Sequence, residues 1–117
     1  MYNIATLHMF GQALTDAVLS ALVRACPRIR TLLLQDCGQL TDAGIVSLTG
    51  LCNLQHLNLQ YCNGVTAAGL HALAGLPQLT YINVHGCRVS VGEADACGFR
   101  GVELMVEKPC WWKNLSR

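Results

Sequence analysis

Three cysteines, Cys37, Cys62 and Cys87, stand 25 residues apart, and the residues around each repeat with them. Ile29-x-x-Leu32-x-Leu34-x-x-Cys37-x-x-Leu40 aligns with Leu54-x-x-Leu57-x-Leu59-x-x-Cys62-x-x-Val65 and then with Leu79-x-x-Ile82-x-Val84-x-x-Cys87-x-Val89. A weaker copy precedes them, Ile4-x-x-Leu7-x-Met9, with Gln12 at the cysteine position and Leu14 after it. A constant period of this size means stacked supersecondary units, none of which buries its apolar face alone.

Each unit reads as one short strand followed by one helix. Apolar residues alternate through the L-x-L core, as a strand with one buried face requires. The cysteine then closes the strand and points inward, where a larger apolar residue would crowd the next coil. In register, Gln12, Cys37, Cys62 and Cys87 are expected to form one ladder. Thr15, Thr41 and Thr66 are placed to N-cap helices, and Asp16 and Asp42 add negative charge to the first turn. Leu14 with Leu19, Leu40 with Ile45, and Val65 with Leu70 occupy the two ends of a hydrophobic staple. Ile45, Leu48 and Leu51, like Leu70, Leu73 and Leu76, give each helix an apolar stripe. Gly44 and Gly69 recur with the period and permit tight helix packing, and Pro27 and Pro77 follow two of the helices.

Composition narrows the partner. Eight basic against seven acidic residues remove the pull that a nucleic acid or an anionic membrane would need, which leaves a protein partner. No apolar run approaches the ~20 residues that span a bilayer, and the start lacks a signal-peptide pattern. Seven cysteines without a C-x-x-C pair argue against a disulfide framework or a zinc knuckle. Reduced, mostly buried thiols imply a cytoplasmic location, with a nuclear one equally compatible.

The pattern resembles the leucine-rich repeat of the cysteine-containing class, through "LLLQDCGQLTDAGIVSL" and "LNLQYCNGVTAAGLHAL". That class also tends to place Cys-Pro before the next unit, as Cys26-Pro27 does, and Cys52 is assigned to the same slot. The resemblance covers about residues 4–92 and implies an α/β solenoid of about four units, strands on the concave side and helices on the convex. It further implies a protein-binding module like the substrate-recognition repeats of F-box ubiquitin-ligase receptors, though no F-box segment precedes the repeats here.

Residues 1–92 are therefore read as repeats and 93–117 as an atypical cap and tail. Cys87 is one residue closer to Val89 than the period requires, and Ser90 with Glu93 offers a capping box. Ala94 and Cys97 stand where Leu70 and Leu73 stood, a thin stripe. Val102, Leu104 and Val106 alternate as a last strand would, and Trp111 and Trp112 are candidates to cover it. At the other end Met1-Tyr2-Asn3 leads almost directly into the first strand with no polar cap before it, so either a partner covers that edge or something has been cut away.

Outward positions of the strands define the candidate partner site. They form three columns: Thr6, Thr31, His56 and Tyr81; His8, Leu33, Asn58 and Asn83; Phe10, Gln35, Gln60 and His85. Phe10, Leu33, His56 and Tyr81 are the expected apolar or aromatic anchors, and Gln35, Asn58, Gln60 and Asn83 the expected hydrogen-bonding groups. A shared metal is disfavoured, because strand spacing puts His56 and His85 roughly 14 Å apart. No catalytic constellation or cofactor motif is present, so the chain is read as a non-enzyme. Two other readings stay open: a structural subunit of a large assembly, and metal or redox chemistry through Cys110, the cysteine with no assigned place in the repeat.

Overall fold

The computed structural model describes residues 3–106, apart from the side chain of Phe10. Cys110, Trp111 and Trp112 lie outside the described residues. Strands β1 (Thr6–Phe10), β2 (Thr31–Gln35), β3 (His56–Asn58), β4 (Tyr81–Asn83) and β5 (Glu103–Met105) alternate with helices α1 (Asp16–Ala25), α2 (Asp42–Ser47), α3 (Ala67–Ala72) and α4 (Val91–Ala96). All five strands are parallel and lie side by side in chain order. Thr6 pairs with Thr31, Thr31 with His56 and His56 with Tyr81, so the sequence period is the strand register. The last step is shorter, since Tyr81 pairs with Glu103, yet the chain still completes a fifth strand.

Stacking in register buries equivalent residues against one another. Leu32, Leu57 and Ile82 form one layer, and Leu34, Leu59 and Val84 the next, all 0–1 % exposed. Ile45, Leu70, Leu48 and Leu73 close the layer from the helix side. Each fully buried leucine is worth ~1.5–3 kcal/mol over an exposed one, so the interior of the stack is the main source of stability. Ile4, Leu7 and Met9, on the first coil, are only partly buried. Ala94 and Cys97 are buried where the thin stripe puts them, and Val102, Leu104 and Val106 pack against the core's far end.

The cysteine ladder is real but starts one coil later than the sequence suggests. The thiols of Cys62 and Cys87 each donate to a carbonyl of the preceding coil, Leu34 and Leu59, at 2.9 Å. Cys37 reaches the Gln35 carbonyl at 3.5 Å and the Met9 carbonyl at 3.9 Å. Gln12 is exposed and its amide meets Gln39. It sits on the outermost described coil, with no earlier strand carbonyl to accept from it. Burial pushes the Cys62 thiol up to about 12 and the Cys87 thiol to about 11, against the opposing pull of their hydrogen bonds. Burial likewise raises Cys37 and Cys97. Neutral thiols held this way are poor nucleophiles.

Cys52 departs from its expected slot and is exposed. α1 ends as a continuous α-helix, the Cys26 N–H bonding the Leu22 carbonyl four residues back. α2 instead closes in a 3₁₀ turn, Leu48–Gly50, with the Leu51 N–H bonding Leu48 three residues back. Tighter winding reaches the buried position one residue sooner. Leu51 therefore fills the place of Cys26, and Cys52 falls on the turn outside it.

A second ladder joins the helix starts. Asp16 accepts from both the backbone N–H and the hydroxyl of Thr41, at 2.8 and 2.5 Å. Asp42 does the same for Thr66, at 2.7 and 2.5 Å. Each Thr in turn caps its own helix. These carboxylates occupy the space a Cβ would take at Gly44 and Gly69, which explains both glycines. In the third coil Ala67 replaces the aspartate, and Glu93 stands where the glycine would be. α4 therefore begins on its own capping box, Ser90 with Glu93.

Candidate functional site

On the strand face the columns read from the sequence lie side by side. Thr31, His56 and Tyr81 are paired in one row, and Leu33, Asn58 and Asn83 in the next. Phe10 pairs with Gln35 through the backbone. His56 and His8 are exposed, while Thr31, Leu33, Gln35, Asn58, Gln60, Tyr81 and His85 are half-buried. The His56 and Tyr81 rings meet at 5.9 Å between centroids, tilted by 44°.

Several of the amides are already engaged with one another. Gln35 Nε2 donates to Gln60 Oε1 at 2.7 Å, and Asn58 Nδ2 approaches the same oxygen at 3.4 Å. Asn58 Oδ1 accepts from the Gln60 N–H, and Asn83 Oδ1 from the His85 N–H, at 2.9 and 3.0 Å. An asparagine accepting from the backbone two residues on fixes the turn that ends the strand. Asn83 is in addition only 6 % exposed, and its amide nitrogen meets the Tyr81 hydroxyl. Contrary to the sequence expectation, Asn83 is thus a structural residue and not a surface donor. Alternation puts it outward, but its amide is spent on the turn and covered by its neighbours.

The structure adds Tyr61, which the column count missed. It stands one residue beyond the third column, with a backbone φ of 61° and a ring that is 41 % exposed. Its equivalents Gly11, Asp36 and Gly86 have φ of 97°, 57° and 82°, so every coil turns through the left-handed region here. Glycine and aspartate tolerate that conformation; a tyrosine there carries strain. The ring lies over Gly86, where a Cβ would strike it, and meets the His85 ring edge-on at 5.3 Å. Four residues of one period with two glycines and an aspartate among them were the available signal.

The described strands contain no Lys or Arg and one carboxylate, Glu103 at the start of β5; Asp36 directly follows β2 and the exposed Arg30 directly precedes it. On the helix side a groove of about 270 Å³ opens between α3 and α4, lined by Ala67, Ala68, His71, Glu93, Ala96 and Cys97. It lies where the aspartate–glycine contact is missing. Among the described residues no group of three His, Cys, Asp or Glu side chains converges as a metal site. No described helix is long and apolar enough to cross a membrane.

A parallel sheet built one strand per repeat, backed by one helix per repeat, is a leucine-rich-repeat type of fold. Residues 50–74, one period of the chain, match the family described as Leucine Rich repeat. Domains of this family generally act by binding proteins and are generally not enzymes. No curated protein matches the chain.

Proposed function

We propose that this chain is a non-catalytic binding module that grips a protein partner across its strand face. The reading is supported by one observation above the rest: aromatic rings, Tyr61, Tyr81, His56 and His85, are gathered on the side of the sheet that the core does not use. A merely solvated face has no need of them, and such rings supply contact area at low entropic cost. Leu33, with Thr31, Gln35, Asn58 and Gln60 around it, makes the floor, and His8 and Phe10 extend the same columns onto the first strand. The cysteine-class repeat pattern favours substrate or adaptor recognition of the kind F-box leucine-rich-repeat receptors perform, in the cytoplasm or nucleus. Affinity capture followed by mass spectrometry tests this. Partners retained by the parent chain and by Val46→Asp, on the helix side, but lost by Leu33→Asp and Tyr81→Ala support it. Loss through Val46→Asp alone overturns it.

A structural-subunit reading rests on a different observation. Val46 and Val91 are each 48 % exposed on the helix side, and Ile4, Leu7 and Met9 are half open on the first coil. Light scattering on the isolated chain separates the two: a stable monomer ends this second reading.

A further inference from the structure

Resting on the strand face as the binding surface, the geometry points to the partner's chemistry: we propose that Asp36, Tyr61 and His85 form a lip that receives an arginine from an extended partner segment. The guanidinium lies on the Tyr61 ring and bonds the Asp36 carboxylate.

Asp36 and Tyr61 hold the same place in successive coils, and the backbone brings the coils together there. The Asp36 N–H donates to the Gln60 carbonyl at 2.9 Å, and the Tyr61 N–H to the His85 carbonyl at 2.8 Å. Neighbouring parallel strands run ~4.8 Å apart, so the two residues start from adjacent backbone positions, the Tyr61 ring leaning over Gly86 on the next coil and Asp36 standing on the coil before. The Tyr61 ring is braced: Gly86 lies under it and His85 meets its edge. Asp36 is exposed at the equivalent position one coil away.

Three facts select a cation, and arginine in particular. First, a strained tyrosine stands where glycine would be free of cost, and strained backbone of this sort collects at ligand clamps. Second, the described strands carry the Glu103 carboxylate and no Lys or Arg, Asp36 adds a carboxylate just past β2, and the exposed Arg30 stands at the opposite end of that strand. The next basic residue along the chain, Arg88, lies past the turn, its backbone bridged to Thr66 at the α3 start. Third, an aromatic face next to a carboxylate suits a planar cation, which stacks and forms a forked hydrogen bond at once; a lysine ammonium is a compact point charge.

The test is a displayed library of random nine-residue peptides panned against the full chain. Each selected peptide is mapped by amide chemical shifts and resynthesised with citrulline or lysine in place of arginine. The expected result is a shared arginine, shifts centred on residues 35–36, 60–61 and 85, and a loss of about tenfold or more with citrulline. Asp36→Asn and Tyr61→Gly should lose affinity to a similar degree. Tyr61→Gly should keep or raise the melting temperature, since glycine is at ease at this φ, which separates lost binding from lost folding. Selected peptides that map to the strand face but bind equally well with citrulline or lysine overturn the arginine lip and leave the binding face standing. Peptides that map to the helices, or no selection at all, overturn both.

Discussion

The thiol of Cys62 donates to the carbonyl oxygen of Leu34, one coil below, and the thiol of Cys87 repeats the contact with Leu59. Each bond satisfies a backbone oxygen at the point where the strand ends and the chain turns. Neighbouring coils are thereby joined from within, at a fully buried contact for Cys62 and a half-buried one for Cys87.

Cys62→Ala should leave the Leu34 oxygen without its partner and open a small void, costing about 1–3 kcal/mol. Urea denaturation should show a lower midpoint with an unchanged slope. Cys52→Ala, on the exposed turn, should shift stability by no more than about 0.5 kcal/mol.

Alkaline pH should weaken the stack. Cys62 is raised from 9.0 to about 12 and Cys87 from 9.0 to about 11 in the folded chain. Above pH 9 the unfolded chain loses these protons while the folded chain keeps them, so the unfolded state gains and stability falls as pH rises through this window. The stability gap between the parent chain and Cys62→Ala should narrow over the same range. A constant gap from pH 8 to pH 11 would contradict this.

The aspartate–glycine contact should show as coupling. Glycine-to-alanine changes normally favour a helix, by about 1 kcal/mol. At Gly69 the new Cβ would lie 2.5 Å from Asp42 Oδ1, so Gly69→Ala should instead destabilise. Asp42→Ala should cost about 1.5–3 kcal/mol through the lost bonds to Thr66. With Asp42→Ala already present, the penalty for Gly69→Ala should shrink, and a double-mutant cycle over four melting curves measures it.

Leu57 is 0 % exposed at the centre of the sheet. Leu57→Asp puts a carboxylate between layers with nothing to pair it and should abolish cooperative folding, seen as a lost thermal transition by circular dichroism.

Most of the fold was legible because it repeats. Register, strand order and the buried identities of Leu32, Leu57 and Ile82 follow from one period, since a stack places equivalent residues against one another. Cys52 and Gln12 fall outside their expected places: a 25-residue step from Cys26 lands on Leu51, where the 3₁₀ turn closes, and Gln12 has no strand carbonyl beneath it among the described residues. The role of Asp16 and Asp42 was half seen. Negative charge at a helix start is a local signal, but its partner Thr is a whole period away. Of the strand-face residues, alternation placed the columns correctly and misjudged Asn83, whose amide turns back to its own strand end. Tyr61 escaped because the alternation stops at Gln60 and the left-handed turn begins there.

Alkylation of the native chain with iodoacetamide at pH 8, followed residue by residue by peptide mass mapping, tests the stacked interior most directly. Cys52 should be modified readily, while Cys37 and Cys62, both 0 % exposed, should stay unmodified until denaturant is added. Modification of Cys37 or Cys62 in the folded chain at the rate of Cys52 would contradict a dry ladder of coils.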